Sequence, residues 1–163
     1  MAATLAACGQ AADKTGAAGQ SRQPGPEKHK AGDLLDPDMV AAVSSAHSST
    51  PIAMKFRLSA RPVIGVPLQV VVALIPAADV TINRIHASFQ PGDGLQLQTE
   101  RSLDINDPSA GGMIEQELSV VPQQPGVLSL NATVVVDMDG GSLSRSYAIP
   151  LIASDKPAAA RSP

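Results

Sequence analysis

From Leu128 to Ile152 the chain reads LSLNATVVVDMDGGSLSRSYAIPLI. Leu128, Leu130, Ala132, Val134 and Val136 alternate with Ser129, Asn131, Thr133 and Val135. Successive strand side chains point to opposite faces, so this period of two describes a strand with one dry face. Asp137-Met138-Asp139-Gly140-Gly141 then supplies hairpin turn chemistry. The next stretch, about Leu143 to Ile152, is expected to fold back as the last strand, with Tyr147, Ile149 and Leu151 facing inward. A hairpin with one apolar face must bury it against a second layer.

The same alternation recurs upstream. Ile52, Met54, Phe56 and Leu58 alternate with Ala53, Lys55 and Arg57, and Arg61-Pro62 with Gly65 to Pro67 turns the chain. Leu68 to Ile75 is rich in β-branched residues, with Leu68, Val70, Val72 and Leu74 on one face, and Pro76 stops it. Val80 and Ile82 are out of phase with Ile85, Ala87 and Phe89, which predicts a register shift or bulge near Asn83-Arg84. Pro91-Gly92-Asp93-Gly94 is a turn, and the short pieces Leu95–Leu97 and Leu103–Ile105 suit an edge. Asn106 to Gly112 reads as a loop, and Ile114, Leu118 and Val120 open another strand before Pro122.

About seven short strands with frequent turns and no internal helix predict an all-β fold, an antiparallel sandwich over residues 51–153. In layout this stretch resembles immunoglobulin-like and fibronectin type III domains. The antibody cysteine pair and core tryptophan are missing, since the chain has one Cys and no Trp. A partly open barrel is the alternative.

Residues 33–50 are expected to form a short helix or an irregular strap. Asp36-Pro37 resembles a cap with proline at the first helical position, and Met39, Val40 and Val43 recur at helical spacing up to about His47. Residues 9–32 are Gly, Ala, Gln, Pro and Lys with almost no large apolar residue, so they read as a flexible linker; residues 154–163 read as a disordered tail.

Cys8, the only cysteine, follows Leu5-Ala6-Ala7 and precedes Gly9. These residues resemble the lipobox of bacterial lipoproteins, in which the cysteine is acylated and becomes the mature N-terminus. Residues 1–8 would then be a truncated signal remnant, because Met1 to Ala7 lacks a full basic and apolar signal region. The resemblance implies a lipid anchor on Cys8, and several acyl chains hold a protein firmly where one is marginal. It further implies a place in the bacterial cell envelope, facing the periplasm. Gly9, not an acidic residue, follows the cysteine, which in that sorting pattern points to the outer membrane.

Composition excludes other roles. A net charge of −3 with scattered basic residues and three aromatics offers neither a phosphate-binding stripe nor a stacking platform for nucleic acid. One cysteine excludes an internal disulfide and a thiolate zinc site. Asp137-x-Asp139-Gly140 begins like a calcium loop, but Ser142 and Ala148 stand where the glycine and bidentate glutamate belong. Asp33, Asp36 and Asp38 read as capping, and Asp104 and Asp107 as turn chemistry. His29, His47 and His86 lack metal-ligand spacing, although soft copper ligation by His86 with Met54, Met113 or Met138 is chemically conceivable. Gly140-Gly141-Ser142-Leu143-Ser144 lacks the closing glycine of a nucleophile elbow. Asn131-Ala132-Thr133 falls inside a strand, and Pro122-Gln123-Gln124-Pro125 reads as a connecting loop.

No catalytic, cofactor or metal residue is therefore assigned. The expectation is a non-enzymatic, membrane-tethered sandwich that binds or positions another envelope protein through the edge near Leu95 to Ile105. Alternatives are a periplasmic carrier of an apolar ligand or metal, and an accessory module of a neighbouring hydrolase or sensor.

Overall fold

A computed structural model describes residues 37–44 and 51–155. Cys8, the linker 9–32, Asp33, Asp36, His29, His47 and the tail beyond Asp155 lie outside the described residues. The strands, in chain order, are β1 (Val40–Ala41), β2 (Val43–Ser44), β3 (Ile52–Leu58), β4 (Leu68–Pro76), β5 (Arg84–Pro91), β6 (Leu95–Leu97), β7 (Ser102–Asn106), β8 (Ile114–Pro122), β9 (Gly126–Met138) and β10 (Gly141–Ala153). They form two five-stranded sheets, ordered β1-β3-β4-β8-β6 and β2-β10-β9-β5-β7. Every pairing between strands is antiparallel. The fold is an immunoglobulin-like β-sandwich.

The alternation decides which side chains meet between the layers. Met54, Val70, Val72, Leu74, Leu118 and Val120 of the first sheet, and Ile85, Phe89, Leu130, Val134, Ile149 and Leu151 of the second, are nearly or wholly withdrawn from water. Burying each such side chain contributes roughly 1.5–3 kcal/mol before chain entropy is set against it. In the centre of the first sheet β4 is buried on both faces, at Val71 and Ala73 as well. Their outer flanks are Arg57 with Glu117 and Lys55 with Glu115, long side chains whose stems can cover a small neighbour.

Three expectations are decided or corrected. Of the two readings of the 33–50 segment, the described part is the strap and not the helix, extended and paired to both sheets. Val40 pairs with Phe56 and Ala41 with Lys55; the Ala42 N–H donates to the Met54 carbonyl at 3.0 Å; Val43 and Ser44 then pair with Ala148 and Tyr147. Both sheets offer a backbone edge here, and a β-branched valine on each side of the crossing suits it, so tertiary pairing overrides the cap-like start. No bulge joins Val80 to Phe89 either. β5 begins at Arg84, and Ile82 reaches the core from the preceding loop, its side chain 4% exposed. The apparent phase shift is the boundary between loop and strand. Ser154, placed in the tail by composition, pairs with Val63.

Turn chemistry appears where expected. Met138 pairs with Gly141 across Asp139-Gly140, and the left-handed backbone falls at Gly141, φ 127°. Gly94 closes the turn after Pro91 at φ 73°, and a Cβ there would lie 2.3 Å from Gln124.

Candidate functional site

The chain's path leaves one flank of the sandwich open. On the other flank β1 and β2 form a single strap that passes from sheet to sheet. On the open flank β6 ends the first sheet and β7 ends the second, with no strand beyond either among the described residues. These are the two segments expected at an edge.

In β7 the pairing with β5 sets Leu103 against Ala87 and Ile105 against Ile85. The Phe89 N–H donates to Arg101 and the Asp107 N–H to Asn83, at 2.7 and 2.9 Å, which fixes the odd-numbered residues as the hydrogen-bonded pairs. The N–H and C=O groups of Ser102, Asp104 and Asn106 therefore point away from the sheet. Leu103 and Ile105 turn their side chains toward the core.

Natural edges are blunted by lysine, proline or bulges. β7 has none of these. Its one charge is held back onto β5: Arg84 Nη2 donates to Asp104 Oδ1, and His86 Nδ1 lies 3.0 Å from the same oxygen. These bonds hold the Asp104 carboxyl below its ordinary range, the Arg84 hydrogen bond first and the His86 hydrogen bond second. The outer face beside the edge carries the rows Ser142–Asp137–Arg84–Asn106, Ser144–Val135–His86–Asp104 and Ser146–Thr133–Ser88–Ser102.

A second surface lies at the end of the sandwich where β3, β8 and β10 finish and β4 and β9 start. Val127 and Ile152 form a cross-strand pair there, 76% and 72% exposed. Beside them Leu58, Arg61, Pro62, Pro150, Ile152 and Ser154 line an open depression of about 450 Å³.

The remaining sequence candidates disperse. Asp137 accepts from the Ser142 hydroxyl and Asp139 from the Asn83 amide, so both carboxylates serve the hairpin. His86 lies on an outer face, whereas Met54 is buried and Met138 packs against the core, so they cannot share a copper ion. Asp104 and Asp107 sit on opposite sides of the end of β7, Asp107 at φ 49°. Ser142 stands in a hairpin and Asn131 within β9. Pro122 ends β8, and Gln123 to Pro125 connects it to β9. Among the described residues no three His, Cys, Asp or Glu side chains converge as a metal site, and no helix is long and apolar enough to cross a membrane. The Arg84–Asp104–His86 cluster was not legible in the sequence, because it needs the β5–β7 register. The Val127–Ile152 pair was hidden by the same alternation that fixed the core.

No protein-family model matches the chain, and no curated protein is similar to it in sequence. Solved structures are similar at low identity. The GAE domain of GGA2p from Saccharomyces cerevisiae is 12% identical over 69% of this chain and 96% of its own, with a TM-score of 0.49. A cohesin module of a family 33 glycoside hydrolase from Clostridium perfringens is 10% identical over 66% and 100%, at 0.45. A FixG-related protein from Vibrio parahaemolyticus is 6% identical over 65% and 99%, at 0.43. None of these likenesses bears on what the chain binds.

Proposed function

We propose that the chain is a non-enzymatic, lipid-anchored envelope protein whose sandwich binds another envelope protein by strand addition along β7. The observation that supports this reading is the outward row of main-chain groups at Ser102, Asp104 and Asn106, on an edge whose single charge is tied back to β5. An added strand gains main-chain hydrogen bonds along such an edge, and its alternate side chains give specificity. The anchor is Cys8, on its likeness to a lipobox, and Gly9 favours the outer membrane, with the sandwich in the periplasm.

Two measurements test the two halves. Metabolic labelling with a fatty-acid analogue in the native host, from the full upstream reading frame, labels the protein and fails to label C8S; persistent label in C8S removes the anchor. A photo-crosslinking residue at Asn106 gives one adduct of defined mass, which S102P abolishes. The Ser102 N–H points outward, so proline there costs no sheet hydrogen bond while blocking a new one. An adduct indifferent to S102P, or none, overturns strand addition at β7.

A further inference from the structure

Of the five large apolar residues most exposed among the described residues, Val40, Val66, Val127 and Ile152 lie toward one end of the sandwich, and Val43 stands further along the strap. Val66 belongs to the loop between β3 and β4, whose Gly65 N–H donates to the Pro122 carbonyl at 2.8 Å and whose Ile64 N–H donates to the Ser154 carbonyl at 3.2 Å. Those bonds hold the apolar loop tip over the ends of β8 and β10, next to the exposed pair Val127 and Ile152.

The chain enters at this same end. β1 runs antiparallel to β3 with Val40 opposite Phe56, so Asp38 lies beside Leu58 and Ser59, with which it lines a depression. The 36 residues that precede Pro37, Cys8 among them, join the sandwich here. The hairpin Asp139-Gly140 is at the far end.

We propose that the rim where this apolar end meets the outer face of the second sheet is a membrane-facing surface, seated on the lipid headgroup boundary with Val66 at the loop tip and Val127 and Ile152 on that outer face toward the acyl chains. The proposal rests on the Cys8 anchor, because an anchored leash that enters at this end brings it closest to the bilayer. Charge does not drive the contact: among the described residues, the loops of this end carry Arg61 against Asp38, Asp93 and Asp155. Apolar insertion does, so zwitterionic lipid is sufficient and anionic lipid gives no gain. With that rim seated on lipid, the strands lean toward the outer face of the second sheet, and β7, which begins level with Thr133, six residues further from the rim than Val127, stays clear of the membrane.

The chain has no tryptophan, so one introduced residue reports alone. V66W, V127W and D139W are each coupled through Cys8 to phosphatidylcholine vesicles carrying a few maleimide headgroups, an attachment independent of biological acylation. The emission of V66W and V127W is expected to shift to the blue and to be quenched by brominated acyl chains, whereas D139W stays as in free protein. Water-like emission from all three, or a shift confined to D139W, overturns the proposal. A blue shift at V66W without bromine quenching also overturns it, since protein then covers this end. Failure of the metabolic label in cells would remove the anchor, whereas failure on these vesicles removes the seating alone.

Discussion

Tyr147 carries a polar atom into an otherwise apolar interior. From β10 its hydroxyl donates to the Ile52 carbonyl of β3 at 2.8 Å, a bond that joins the two sheets. Its ring is 5% exposed and lies 5.8 Å from the Arg145 guanidinium, whose Nε donates to Ser44 of the strap. One side chain thus fastens both sheets where the strap crosses. Removing only the hydroxyl leaves a buried carbonyl unpaired, so Y147F is expected to lose about 1–3 kcal/mol in urea unfolding. Phe89 is 1% exposed and is one of only two phenylalanines in a core built of Val, Leu and Ile. F89A is expected to lose about 3–5 kcal/mol by the same measurement, the transfer cost plus the cavity left behind. The inward role of Tyr147 was legible from alternation alone; its bond to Ile52 was not, because 95 residues separate them.

At the scale of the element, the strand edges were readable and their partners were not. Leu95–Leu97 and Leu103–Ile105 are too short and too polar-flanked for central strands, and both lie on the open flank. What no local pattern shows is that β6 and β7, consecutive in the chain, end different sheets. The strap failed as a helix for a related reason: Pro37 and Val43 carry helical signals, but the unpaired backbones of β3 and β10 compete for them. For β7, Asp104 is the sensitive residue. Its pKa is lowered in the fold, so its contribution is present above the ordinary carboxylate range and lost as pH falls through the depressed value. The group is exposed, so the effect is small. D104N is expected to melt slightly below the parent at neutral pH, with the two converging in acid and in high salt. An equal gap at all pH values would show that the ion cluster does not hold the edge.

For the whole molecule, apolar alternation between Pro51 and Ala153 called for a second layer over every one-faced strand, which a sandwich or a partly open barrel would supply, and the two separate five-stranded sheets decide for the sandwich. Sheet order was beyond it. β4 pairs with β8 and β5 with β9 across long stretches of chain, and such contacts are fixed by global packing. The candidate edge was placed, whereas the apolar end was missed, because alternation turns Val127 and Ile152 outward one at a time, and their pairing with each other and the return of the 62–67 loop onto Pro122 and Ser154 are fixed by register. A fold dominated by non-local pairing closes its loops late, so stopped-flow refolding is expected on the millisecond-to-second scale. Refolding within microseconds would contradict this topology.

The open edge of β7 joins the architecture to the proposed function, and residue-resolved amide hydrogen exchange on the isolated protein tests it most directly. Leu103 and Ile105, bonded to β5, exchange slowly, while Ser102, Asp104 and Asn106 exchange close to the rate of unprotected amides. Uniform protection of all five would mean that something already covers this strand, and the account of an edge held open for a partner would not stand.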